Sequence, residues 1–96
     1  MSHSGQDRAR LRLIIFGRVQ GVYFRAAAAT HAGKLALTGY ACNRPDHTVE
    51  IVAEGPVDAL KSFTEWAQHG PPDARVDHVS EQWQPFLDEF DSFRIS

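Results

Sequence analysis

The sequence predicts a two-layer α+β sandwich, in the order βαββαβ with a short extra C-terminal strand, both helices covering one face of an antiparallel sheet. Three observations carry that expectation. A chain of 96 residues has material for one core and not for two. Strand-like and helix-like patterning alternate along it, and Gly, Pro and Asp punctuate the changes. A composition 43% hydrophobic and 23% charged is that of an ordinary globular domain, which folds without a staple.

The polar stretch 1–8 reads as a disordered leader or tag remnant, and residues 9–96 as the domain. In 10–16, Leu11, Leu13 and Ile15 alternate with Arg12, Ile14 and Phe16, which gives a strand with one clear core face. Residues 22–34 follow as a helix favoured by alanines at 26, 27, 28, 29 and 32, with Phe24, Ala28, Ala32 and Leu35 near one face. Leu37 to Asn43 and Thr48 to Glu54 form a hairpin around Arg44-Pro45-Asp46-His47, where His47 stands at a position easier for glycine. Gly55-Pro56 ends that strand and starts a second helix, whose stripe is Val57, Leu60, Phe63 and Ala67, with Trp66 beside it, and which stops near His69-Gly70. Arg75 to Trp83 is the fourth strand, ended by Pro85, and Ser92 to Ile95 a short closing one.

Net charge is −2, so the chain as a whole exerts no long-range pull on nucleic acid or anionic lipid, and any anion site has to be local. Cys42 is the only cysteine, which rules out an internal disulfide and suits a reducing compartment. The first six residues lack a basic start and an apolar h-region, and fully apolar runs such as Leu13 to Phe16 are four residues long. These features lead to the expectation of a cytoplasmic protein with neither a membrane nor a nucleic-acid partner, and the small size and lack of a long apolar patch to that of a monomer.

One stretch concentrates chemistry: GRVQGVYFR, residues 17–25. Glycines at 17 and 21 allow a curl in which successive amides turn inward, just before a helix whose first N–H groups lack partners and whose dipole places partial positive charge there. Arg25 in the first turn adds a guanidinium fork suited to phosphate. Neither GxxxxGK[ST] nor GxGxxG is present, so the familiar nucleotide loops are excluded. From the residues alone the same corner reads equally as a tight turn with a surface arginine.

GRVQGVYFR resembles the signature of the acylphosphatases, close to GxVQGVxFR. Ala32, Leu35, Leu37, Gly39, Tyr40 and Asn43 fall in line with the family's next landmark, as do Thr48-Val49-Glu50-Ile51, Glu54-Gly55, Gly70-Pro71, Ala74, Val76 and Phe93-Arg94-Ile95. The likeness covers Ala9 to Ser96. It implies metal-independent hydrolysis of small acyl phosphates on a ferredoxin-like sandwich, without cofactor, inorganic phosphate being product or inhibitor. By position, Arg25 takes the place of the phosphate-binding arginine and Asn43 that of the water-orienting asparagine. The amides of Val19, Gln20, Gly21, Val22, Tyr23 and Phe24 take the cradle. By spacing alone Asn43 would be a turn opener.

Two residues depart from the pattern, Tyr23 with little consequence and Ala36 more sharply. Tyr23 stands where many members have glycine and others an aromatic residue. Ala36 replaces the glycine that usually follows the first helix, where a left-handed conformation is expected. Other reactive groups read as bystanders: Cys42 as an inert thiol on the sheet's uncovered face, and His3, His31, His47, His69 and His78 as surface residues without metal-ligand spacing. Two further functions compete. A non-catalytic phosphate or acyl phosphate binder keeps the same residues, and an RNA-binding domain would use Phe16 and Tyr40 on the open face, against Glu50 and Glu54.

Overall fold

The computed structural model describes residues 7–96, so residues 1–6 of the expected leader lie outside the described part. Seven elements follow in the expected order: β1 (Arg8–Arg18), α1 (Phe24–Lys34), β2 (Thr38–Asn43), β3 (Val49–Pro56), α2 (Val57–Ala67), β4 (Arg75–Pro85) and β5 (Phe93–Ile95). β1 starts at Arg8, inside the segment expected to be a leader, because Arg8 and Ala9 pair with Pro56 and Gly55 of β3. The sheet order is β4-β1-β3-β2-β5. The four long strands pair antiparallel, while β5 runs parallel to β2, so the sheet is mixed rather than purely antiparallel.

Leu11, Leu13 and Ile15 are buried on the helix side, facing Phe24, Ala28 and Ala32 of α1 and Leu60, Phe63 and Ala67 of α2. Each of the leucine, isoleucine and phenylalanine side chains contributes about 1.5–3 kcal/mol by leaving water, and each alanine about 0.8 kcal/mol. Thr64 is also buried on α2, its hydroxyl donating to the Leu60 carbonyl at 2.9 Å. α1 ends as the sequence suggests: the N–H of Leu37 donates to Ala32 O and that of Ala36 to Gly33 O, with Ala36 left-handed at φ 56°. That is the paired-bond helix stop usually made with glycine.

The open face differs from the expectation in one respect. Glu54 is buried, 1% exposed, under the segment 86–91: it accepts the N–H groups of Leu87 and Glu89 at 2.7 and 2.9 Å and lies 3.6 Å from Arg10. Phe90 packs edge-on against Tyr40, and the Arg10 guanidinium stacks on Phe90. Tyr40 is therefore half-buried beside Phe90 and not a free ring on an open face. His31 also departs from its expected surface position: it is half-buried, with its ring stacked on Trp66 at 5.2 Å. His47, His69 and His78 are exposed as expected, and His3 lies outside the described residues.

Candidate active site

β1 and β2 are each antiparallel to β3, which lies between them, so the two point the same way and end at the same end of the sheet. The loop leaving β1 and the residue closing β2 must therefore converge there. Val19 and Val22, 1% and 5% exposed, anchor the loop in the core, and Gly21 between them takes φ 74°. Gly17 does something else. It sits within β1 at a register shift against β4, where a Cβ would lie 2.1 Å from the Arg75 carbonyl, so it allows strand contact and not the curl.

Tyr23 precedes α1 in the left-handed region at φ 64°, and no side chain caps the helix. The first helical bond inside the turn runs from the Ala27 N–H to the Tyr23 carbonyl, which leaves the N–H groups of Phe24, Arg25 and Ala26 without an intrahelical partner. No acidic residue in the first turn offsets the positive end of the dipole.

Asn43 closes β2, and the hairpin after it is fixed from inside: Asp46 Oδ1 accepts both the N–H and the hydroxyl of Thr48, at 3.1 and 2.6 Å. Those two bonds hold the Asp46 carboxyl below its usual pKa. The Gln20 side chain ties the loop to this hairpin, its Nε2 donating to the carbonyls of Arg44 and Thr48, both at 2.9 Å. Sequence reasoning assigned Gln20 only a backbone role and missed this latch, although a long carboxamide inside a nine-residue glycine corner was a signal for it.

Arg25 and Asn43 line one cleft of about 380 Å³, together with Val19, Gly21, Tyr23 and Phe24. Gln20 and Val22 do not line it, their side chains being committed to the hairpin and the core. The cleft has two further walls that the sequence did not point to, Ala26 and Ile95. Arg25 donates through Nη1 to the main-chain oxygen of Ser96 at 2.7 Å, a bond that holds its half-buried side chain beside the helix N-terminus. The uncapped start of α1, a guanidinium and a carboxamide line one opening, groups whose chemistry suits a small oxyanion and a water beside it.

Other reactive groups lie elsewhere. Cys42 alternates away from Ala41 onto the face without helices, 3.6 Å from Glu50, where burial and then that carboxylate push the thiol pKa up. Among the described residues no three His, Cys, Asp or Glu side chains gather to hold a metal ion.

Residues 11–95 match the sequence model of the acylphosphatase family. An acylphosphatase of Marinobacter nauticus is 48% identical over 87 residues, spanning 91% of this chain and 95% of that protein. The crystal structure of the acylphosphatase from Bacillus subtilis superposes with a TM-score of 0.89 at 41% identity, over 92% of this chain and 98% of that one. An acylphosphatase structure from Coxiella burnetii gives the same TM-score at 32% identity with both chains fully covered.

Proposed function

The chain belongs to the acylphosphatase family and hydrolyses acyl phosphates to a carboxylate and inorganic phosphate; on that premise we propose that Arg25 and the loop amides hold the phosphoryl group while Asn43 orients the attacking water. The observation that carries this reading is that Arg25 and Asn43, eighteen positions apart and on different elements, line one cleft with the uncapped start of α1.

The leaving group is a carboxylate, whose conjugate acid has a pKa of about 4, so it departs from phosphorus without first receiving a proton. Water attacks phosphorus, the bond from phosphorus to the acyl oxygen breaks with its electron pair staying on the carboxylate, and the water proton goes to a phosphate oxygen or to solvent. The transition state is loose, with charge spread over three phosphoryl oxygens, and catalysis is mostly positioning and charge stabilisation. Arg25 supplies two parallel N–H donors, and the cradle amides from Val19 to Phe24, with Gln20 and Val22 holding the loop's shape, meet the remaining oxygens. The Asn43 carboxamide oxygen accepts from the water and fixes its line of attack without taking a proton. Guanidinium and amides provide the positive charge, so the reading requires no metal or cofactor, and inorganic phosphate competes for the same cradle.

Phosphate release from benzoyl phosphate tests the assignment. Arg25→Ala should lose about 100- to 1,000-fold in kcat/KM, the usual cost of one transition-state donor, and Asn43→Ala up to about 100-fold, the cost of a misplaced nucleophile; the arginine change alone should also weaken inhibition by inorganic phosphate. Full turnover by either variant, or loss of wild-type turnover with a chelator present, would overturn it.

The same reading keeps the enzyme a cytoplasmic monomer without nucleic-acid partners. Small size and short apolar runs support the monomer, a net charge of −2 the lack of nucleic-acid partners, and a lone cysteine suits a reducing compartment. No helix among the described residues is long and apolar enough to cross a membrane.

A further inference from the structure

We infer that the acyl half of the substrate lies on an apolar shelf made by Tyr23 and Ile95, and that this shelf makes the enzyme prefer acyl phosphates with an aromatic or branched apolar acyl group over acetyl phosphate. The inference rests on the catalytic reading above and extends it to substrate class. Five large hydrophobic side chains are exposed among the described residues: Phe16, Tyr23, Trp83, Leu87 and Ile95. Two of them, Tyr23 at 81% and Ile95 at 50% exposure, line the cleft that holds Arg25 and Asn43. At about 380 Å³ the cleft lies within the range of small-molecule sites and exceeds what a single phosphoryl group fills.

The geometry explains why these two side chains stand there. β5 runs parallel to β2 with Ile95 opposite Ala41, so Ile95 shares the helix-side face with Ala41 and with Asn43 two residues on. Tyr23 approaches from the other wall, on the residue that introduces α1, and its left-handed backbone is one that glycine adopts more readily. Tyr23 thus combines a backbone conformation costly for a residue with a side chain and a ring that no packing rewards. With the phosphoryl group at the helix N-terminus, the acyl oxygen points outward between the two walls, where an aromatic ring stacks on Tyr23 and packs edge-on to Ile95. Acetyl phosphate has a methyl group at that place and reaches neither.

The test measures kcat/KM for benzoyl phosphate and acetyl phosphate in wild type, Tyr23→Gly, Ile95→Ser and Ile95→Phe, with circular dichroism to show that each variant is folded. The benzoyl-to-acetyl ratio should fall about 3- to 10-fold in Tyr23→Gly and Ile95→Ser, below the discrimination of an enclosed pocket because the shelf is open to solvent, and should rise in Ile95→Phe. Hydrolysis of both substrates with an unchanged ratio in all three variants would remove the shelf and leave the catalytic reading intact. Hydrolysis of neither substrate by wild type would remove both.

Discussion

Replacing Gln20 by Met tests whether the loop and the hairpin act as one unit. Met has nearly the length and volume of Gln, so packing is kept while both Nε2 donors are lost. The two carbonyls they serve are not orphaned, because Arg44 O still accepts the His47 N–H at 3.1 Å and Thr48 O the Arg44 N–H at 2.9 Å. Each lost bond therefore costs about 0.5–1.5 kcal/mol without a further desolvation penalty. Taken together they amount to about 2 kcal/mol, which for a domain of this size lowers Tm by about 8–16 °C. The kinetic effect should be separate from the thermal one. Asn43 sits immediately before the tethered hairpin, and slack of about 1 Å between it and the cradle costs up to about 100-fold in rate. We expect kcat for benzoyl phosphate to fall about 10- to 100-fold, measured well below the unfolding midpoint. The double variant Gln20→Met/Ala36→Gly should regain stability and none of the lost kcat. A Gln20→Met enzyme that melts early but turns over at the wild-type rate would refute the latch as a positioning device.

Three further outcomes follow from particular contacts. Ala36→Gly relieves a left-handed alanine, about 1–2 kcal/mol, against about 0.4–1 kcal/mol of extra unfolded-chain entropy, so Tm should rise by about 2–8 °C; no rise would mean that the helix stop at φ 56° is not retained. His31 has its pKa lowered from 6.5 by burial and then by Lys34, so as pH falls through 6.5 the unfolded chain takes up a proton before the folded one and stability is lost. His31→Phe keeps an aromatic partner for Trp66 and should flatten the decline in Tm between about pH 7 and pH 5, whereas an unchanged slope would place the titration elsewhere. Glu54→Ala strands the N–H groups of Leu87 and Glu89, while Arg10 keeps Glu89 and Gln84, costing about 1–3 kcal/mol for each unsatisfied donor; thermal unfolding within 2 °C of wild type, about half a kcal/mol, would refute that account.

Much of the fold was legible because the apolar spacing and the tertiary burial agree. Leu11, Leu13 and Ile15, like Phe24, Ala28 and Ala32, are the buried faces that their periods announce. What escaped notice lies where chain neighbours do not decide the outcome. The start of β1 at Arg8 is set by pairing with the end of β3, and the parallel run of β5 by the route of segment 86–91, neither of which has a local signature. Glu54 illustrates the same limit: alternation put it on the open face, and only the return of Leu87 and Glu89 buries it. For the candidate site, Arg25 and Asn43 were found through a resemblance and share one cleft, but Gly17 was credited with the curl because spacing cannot tell a strand irregularity from a curl.

The strand order also accounts for how few side chains the proposed chemistry needs. Because β3 separates β1 from β2 and opposes both, the carboxyl ends of the two outer strands fall together. The helix that leaves β1 must begin at that same end, which supplies oriented N–H groups and a dipole before any side chain is chosen. In a chain whose net charge is −2, the proposed phosphoryl site therefore draws its positive charge from this one end of the sheet and not from the surface at large. Only two demands are left to side chains: a fork that follows the phosphoryl oxygens, and a neutral group that aligns water without competing for its proton. Lysine at position 25 would keep the charge and lose the paired donors, and aspartate at position 43 would keep the acceptor and add a repelling charge, so both conservative replacements should fail for opposite reasons.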